Sequence, residues 1–164
     1  MGLTASTWRC ISEMLGDNAI TDHGTTQLHP LGHTVVCRDT STQDRGEAEF
    51  VYHGGLDATT AGDVVFLDGD LTLLGTTRSV GIVGVAMSAC VTGEYGWYQI
   101  RGQAVCNSAQ TVADNAQAYL TSANTVDDAV VAGDEIVGAR TMGASSTTPY
   151  QTLVLIMYPR TIDN

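Results

Sequence analysis

Only a few residues of this chain have the types and the spacing that chemistry requires. His29 and His33 stand four residues apart, the spacing at which two imidazoles on one helix bind a metal ion. Pro30 and Gly32 lie between them and would break such a helix, and no obvious third ligand accompanies the pair. We therefore predict that this segment is polar chain without a metal ion.

The carboxylates form three short clusters. Asp68-Gly69-Asp70 begins like a calcium loop, but the further alternating acids and the terminal Glu of that loop are missing. The turn of a β-hairpin explains these three residues better. The pairs Asp127-Asp128 and Asp134-Glu135 suit a helix start and a solvated surface. General acid–base catalysis needs two carboxylates in one pocket, and nothing in the sequence indicates one.

Nucleophilic catalysis has no recognisable motif in the chain. There is no Gly-x-Ser-x-Gly turn and no glycine-rich phosphate loop. Neither Cys90 nor Cys106 has a basic neighbour in sequence that would activate its thiol. We predict a protein that is not an enzyme and that uses no cofactor or metal. A small hydrolase acting on a host envelope is the alternative, which turnover of cell-wall or polysaccharide substrates would support.

The composition indicates a β-rich protein with an acidic surface. The 164 residues are 43% apolar and only 15% charged, they include 18 glycines, and the net charge is −11 without a single Lys. Such a surface repels nucleic acid and anionic membranes, so we expect neither as a partner. No run is long enough for a membrane-spanning helix, and no signal pattern begins the chain, so we expect synthesis in the cytoplasm.

The cysteines carry a prediction about redox state. Cys10, Cys37, Cys90 and Cys106 are widely spaced, with no C-x-x-C pair. In a protein made in the cytoplasm we expect free thiols that pack as small apolar groups. A Cys90–Cys106 disulfide across a hairpin is the alternative.

Residue periodicity predicts an all-β fold, a compact antiparallel barrel or sandwich with one or two short helices. Its centre is a hairpin within Val80–Cys106, and we divide the chain into an arm (residues 1–32) and a body (residues 33–164). The other predicted strands are His33–Arg38, Glu47–His53, Asp63–Leu67, Leu71–Leu74, Gln117–Leu120, Glu135–Arg140 and Gln151–Tyr158. Helices are predicted around Trp8–Leu15, from apolar spacing, and after Thr125, from a capping box.

Two strands carry side chains that the sequence predicts to be interface residues. In the central hairpin Trp97, Gln99 and Arg101 alternate onto what should be an exposed face, where Trp and Arg are typical anchors. The last strand is apolar on both sides, and we expect Leu153, Leu155 and Met157 to be covered by another subunit.

The arm should dock on its own body, on a neighbouring subunit or on a larger surface, because it has too little apolar area to fold alone. The residues we expect to make its contacts are Trp8, Ile11, Val35 and Val36. We predict that the arm reaches the partner assembly, and that deleting residues 1–30 leaves a folded body that no longer binds.

Several segments resemble small virion proteins of tailed bacteriophages, with those of marine and cyanobacterial phages the most similar. The segments are Gly46–Tyr52, Ala61–Asp63, Val83–Met87, Glu94–Gly102 and Val126–Asp134, within a resemblance that covers about residues 31–142. The proteins in question are capsid decoration, or cement, proteins. The resemblance implies a compact β-barrel or β-tulip fold, a homotrimer, the major capsid protein as partner and a place on the outer capsid surface.

The resemblance and the acidic composition together predict a structural virion protein that bridges capsid subunits and stabilises the shell. A tail, neck or host-adhesion component is the alternative, because the same β-rich composition serves both. Copy number per virion separates them: hundreds of copies indicate a shell protein, and a dozen or fewer indicate a tail or vertex protein.

Overall fold

The computed structural model describes residues 7–12, 15, 18–56, 58–69, 71–74, 80–109, 111–121, 124–130, 133–143 and 150–162. The described chain is all-β, as predicted. Its strands are β1 (Trp8–Cys10), β2 (His23–Gly24), β3 (Thr34–Asp39), β4 (Glu47–Gly54), β5 (Val64–Asp68), β6 (Leu71–Leu74), β7 (Gly81–Ala86), β8 (Tyr95–Asn107), β9 (Gln117–Leu120), β10 (Val126–Asp127), β11 (Glu135–Thr141) and β12 (Gln151–Thr161).

The strands form one large, mostly antiparallel sheet in the order β1-β3-β4-β6-β5-β7-β8-β12-β11-β9-β10, with β2 paired to β8. The long strand β8 organises it, since β4, β7, β12 and β2 all pair with it. The predicted central hairpin is therefore confirmed as β7 and β8. The hairpin of β5 and β6 is confirmed as well, with Asp68 opposite Leu71 at its turn.

The sheet bends so that one of its faces, the inner face, packs against itself as a sandwich-like core. One cluster on this face takes buried side chains from seven strands, from β5 and from β7 to β12, among them Phe66, Val85, Leu120 and Ile156. A second cluster joins Val35, Phe50, Tyr52 and Trp97 to Ile20 of the N-terminal segment. A smaller third cluster, which includes Val51 and Tyr98, lies on the opposite, outer face.

A β-bulge in β8 changes which side chains face the core. Glu49 and Phe50 are neighbours on β4, yet they pair with Arg101 and Gln99, so Ile100 is an extra residue on β8. Gly102 follows at φ +99°, where a Cβ would lie 2.6 Å from the carbonyl oxygen of Glu47. Up to Gln99, the odd-numbered side chains of β8 therefore point to the inner face. From Ala104 onward, the even-numbered side chains do so.

The bulge makes the predicted exposure of two residues wrong. Trp97 and Gln99 are 0% and 1% exposed, on the inner face, whereas Arg101 lies on the outer face opposite Glu49. Strict period-2 alternation placed all three together, and a single inserted residue separates them.

Both helix predictions are also wrong, since no helix occurs among the described residues. Trp8–Cys10 is an edge strand paired with β3, and Val126–Asp127 pairs with β9. Met14, one of the apolar residues in the range of the first predicted helix, lies outside the described residues. No described segment forms a helix long and apolar enough to span a membrane.

The N-terminal segment lies on the body. Ile20 is buried in the cluster of Phe50 and Trp97, and Cys10 forms a disulfide with Cys37, its partner residue across β1 and β3. The prediction of four free thiols is therefore wrong for this pair, which the folded chain brings together from 27 residues apart. It is confirmed for Cys90 and Cys106, which are free and buried.

Candidate protein-binding face

The outer side of the C-terminal strand exposes a row of apolar side chains, which we call the β12 face: Val105, Leu153, Leu155, Met157 and Tyr158. Direct pairing of Leu153 with Val105 places these two on the same side of the sheet. Val154 and Ile156, the alternate residues of β12, are buried in the core. Along the strand Leu155 is 39% exposed and Met157 is 54% exposed. Leu153, Leu155 and Met157 thus share one side of β12, as the alternation of the sequence indicated, with Leu153 half-buried.

A second bulge adds an aromatic ring to the face. Tyr158 has a φ of +49° and is 54% exposed beside Met157 instead of pointing to the opposite side. Gly138 on the paired strand β11 has a φ of +83°, and a Cβ there would lie 2.8 Å from the carbonyl oxygen of Met157. Glycine therefore suits this position of the bulge. Period-2 reading of the sequence placed Tyr158 with Val154, so this member of the face was missed.

A small polar network holds Tyr158 and ties β12 to β4. The Tyr158 hydroxyl donates a hydrogen bond to Oε2 of Glu49 at 2.8 Å, and Nε of Arg101 donates to the same oxygen at 3.3 Å. The hydrogen bond to Glu49 is the main reason that the pKa of Tyr158 is raised, and burial and the Glu49 charge add to it. These contacts therefore hold the Tyr158 ring and the Glu49–Arg101 ion pair in place at one edge of the β12 face.

Arginines border the β12 face, although the protein as a whole is acidic. Arg101 is opposite Met157 on β8, and Arg140 is opposite Leu155 on β11. Arg160, exposed two residues beyond Tyr158, extends the series. Three of the seven basic residues thus border one apolar row, while the whole chain carries a net charge of −11. Apolar side chains bordered by Arg are typical of protein interfaces.

The other predicted interface residues are dispersed. Val35 is buried in the core, as are Trp97 and Gln99, so none of the three is available to a partner. Trp8 packs edge-on against Phe50, with ring centroids 4.9 Å apart. Ile11 is exposed and Val36 half-buried near the edge strand β1, which lies beyond β3 and β4 from the β12 face.

The histidine pair belongs to an aromatic cluster. The rings of His29 and His33 are nearly parallel with centroids 5.6 Å apart, and His29 also contacts Tyr52 and Trp97. The pair therefore covers the buried indole of Trp97. Within the described ranges no group of three or more His, Cys, Asp or Glu side chains is arranged to hold a metal ion.

The structure also shows the surroundings of the free thiols and of the acid pairs that the sequence analysis considered. Burial raises the pKa of Cys106 to about 12 and is the main cause that raises the pKa of Cys90, so both thiols are protonated at neutral pH. Asp128 accepts a hydrogen bond from the backbone of Ala113 at 2.9 Å, and Asp134 is buried ahead of β11. Asp128 therefore holds the loop around Ala113.

Comparison with known proteins gave no match, since no family model, no curated protein and no solved structure is detectably similar to this chain.

Proposed function

We propose that this chain is a non-enzymatic structural protein of a phage particle, which binds the outside of the capsid and bridges major capsid protein subunits. The β12 face is the observation that carries the proposal. Leu155, Met157 and Tyr158 are exposed on a strand in the middle of the sheet, not on a loop. A rigid, apolar surface with arginines around it is suited to permanent contact with another protein.

Three further features agree with this assignment. Two of the segments that resemble decoration proteins, Gly46–Tyr52 and Glu94–Gly102, lie on β4 and β8, each together with the one residue that precedes the strand. The acidic charge suits a position away from packaged DNA. A stable protein–protein contact buries roughly 1,200–2,000 Å² in total. The β12 face would supply part of this area, and the neighbouring outer surfaces of β8 and β11 would supply more. Self-association into a homotrimer is part of the proposal.

The test is binding of the purified full chain to capsid shells of the parent phage that lack it, measured by co-sedimentation. Met157→Glu places a carboxylate at an exposed position of the β12 face. We expect it to weaken binding about 30-fold or more, which corresponds to roughly 2 kcal/mol for a contact residue.

Val130→Glu is the matched control, because it makes the same chemical change at another exposed apolar position, 79% exposed and not on the β12 face. It should bind like the unaltered chain. Equal binding by all three proteins would refute the β12 face as the capsid contact. No saturable binding to shells by the unaltered chain, with a dozen or fewer copies in intact virions, would favour a tail or neck position.

A further inference from the structure

A groove separates the N-terminal segment from the ends of strands β4 and β8. It has a volume of about 540 Å³, and its lining includes Asn18, Thr21, Asp22, Thr25, Thr26 and Tyr95. None of the residues of the β12 face contributes to it. The groove is therefore a separate site from the proposed capsid contact.

The floor of the groove is aromatic. The rings of Tyr52 and Tyr95 are nearly parallel, at 18°, with centroids 6.3 Å apart. Tyr52 is buried, and its hydroxyl accepts a hydrogen bond from the backbone N–H of Leu28 at 3.2 Å. Tyr95 is half-buried and lines the groove, so its ring is the one that a ligand can contact.

The wall of the groove is held in place on both sides. His23 and Gly24 pair with Gly96 and Tyr95 as strand β2, and Oδ2 of Asp22 accepts a hydrogen bond from the backbone of Ala19 at 3.0 Å. Ile20, between them in the chain, is buried in the core. The groove is therefore preformed, which lowers the entropic cost of binding a ligand.

The accessible polar groups of the groove are threonine hydroxyls, the imidazole of His23 and the carboxylate of Asp22. Asn18 also lines the groove, but it is only 6% exposed and its Nδ2 is buried. His23 lies 3.6 Å from Glu94, so the imidazole faces an acid rather than an open anion site. With Asp22 in the wall, an anionic ligand would be repelled.

We propose that this groove binds a neutral saccharide. A sugar ring has an apolar C–H face that packs on an aromatic ring such as Tyr95, and hydroxyls that exchange hydrogen bonds with threonine hydroxyls and carboxylate groups. The proposal does not depend on the capsid assignment, because the two sites share no residue. Saccharide binding on the outside of a particle would add attachment to polysaccharide surfaces to the structural role.

The experiment titrates the full chain with neutral oligosaccharides of glucose, mannose, galactose and N-acetylglucosamine, with binding followed by ligand-observed NMR. We expect at least one of them to bind with a Kd below about 10 mM. Tyr95→Leu keeps an apolar side chain but removes the ring, and it should weaken that binding about ten-fold or more. Thr25→Phe, at an exposed position in the wall, should block the groove without disturbing the core.

Met157→Glu is the control and should bind the saccharide as the unaltered chain does. The proposal is overturned if no oligosaccharide in the panel binds, or if a saccharide binds with equal affinity to the unaltered chain, Tyr95→Leu and Thr25→Phe. Because Met157→Glu tests the capsid contact separately, failure of one proposal is distinguishable from failure of the other.

Discussion

The Tyr158 hydroxyl meets Glu49 through the fold, because the two residues are 109 positions apart in the chain. Its hydroxyl donates to Glu49, and ionising it would place a phenolate beside that carboxylate, so its pKa is raised in the folded chain. The protonated form is therefore favoured by folding. This contribution to stability is fully present below the ordinary tyrosine pKa and is lost as the pH rises through the higher folded value.

Glu49→Gln should lower the pKa of Tyr158 towards the ordinary value, because the amide carries no charge to oppose the phenolate. Ultraviolet absorbance of tyrosinate during alkaline titration measures it, and subtracting the titration of Tyr158→Phe isolates this ring from the other five tyrosines. An unchanged titration in Glu49→Gln would show that Glu49 does not control the pKa of the Tyr158 phenol.

The cysteines give a prediction that a thiol count can test. Cys90 and Cys106 are buried, with thiols that stay protonated at neutral pH, and Cys10 and Cys37 are joined. A thiol reagent at pH 7 should therefore find no reactive cysteine in the native chain, two after denaturation and four after denaturation with reduction. Four thiols in the denatured, unreduced chain would contradict the disulfide.

At the scale of elements, the N-terminal segment is part of the body rather than a free arm. Residues 18–24 contribute Ile20 to the core and β2 to the sheet, and β1 is joined to β3 by pairing and by the disulfide. A loop of this length closed by a disulfide contributes about 3–4 kcal/mol through the unfolded state. Removing residues 1–30 should consequently destabilise the body, in contrast to the prediction from sequence.

The contrast between two isoleucines tests this placement. Ile20→Ala should lower the free energy of unfolding by about 2–4 kcal/mol, because Ile20 is 2% exposed in the core. Ile11→Ala removes the same atoms from a side chain that is 55% exposed, and it should cost less than about 0.5 kcal/mol. Urea denaturation followed by tryptophan fluorescence measures both. Equal small effects would mean that residues 18–24 do not pack on the body.

The sequence could predict the elements whose period and turn chemistry are local. Strand β9 was predicted with its observed ends, and the hairpin over Asp68-Gly69 was predicted from its turn residues. What could not be predicted depends on contacts between distant segments. The extra residue at Ile100 shows itself only when β8 is aligned with β4, and the strand character of Trp8–Cys10 depends on β3 as its partner.

The β12 face was likewise predictable only where it follows from local alternation along the strand. Leu153, Leu155 and Met157 follow a regular alternation, so their common side was evident from the sequence. Tyr158 departs from that alternation through a positive φ that Tyr rarely adopts, and Glu49 reaches it from 109 residues away. The groove beside Tyr95 has no sequence motif, because its wall and its floor come from separate parts of the chain.

At the scale of the whole molecule, the net charge opposes the self-association of the chain. A chain with a net charge of −11 repels its copies, so the proposed homotrimer must gain enough from apolar burial to overcome that repulsion. The repulsion extends about 30 Å at 0.01 M salt and only about 10 Å at 0.1 M, because mobile ions screen it. Apolar burial is not weakened by this screening.

The trimer should therefore become tighter as salt is added from 0.01 M to 0.1 M, as sedimentation velocity at fixed protein concentration would measure. The direction is informative, because pairing of Arg101 or Arg140 with acids of a neighbouring copy would be screened and would give the opposite trend. An Arg140→Gln variant separates the two cases. It raises the net negative charge, so under the repulsion model it associates less than the unaltered chain, and the association of both proteins strengthens with salt. If a specific ion pair of Arg140 dominates, the association of the unaltered chain weakens with salt, whereas that of Arg140→Gln does not.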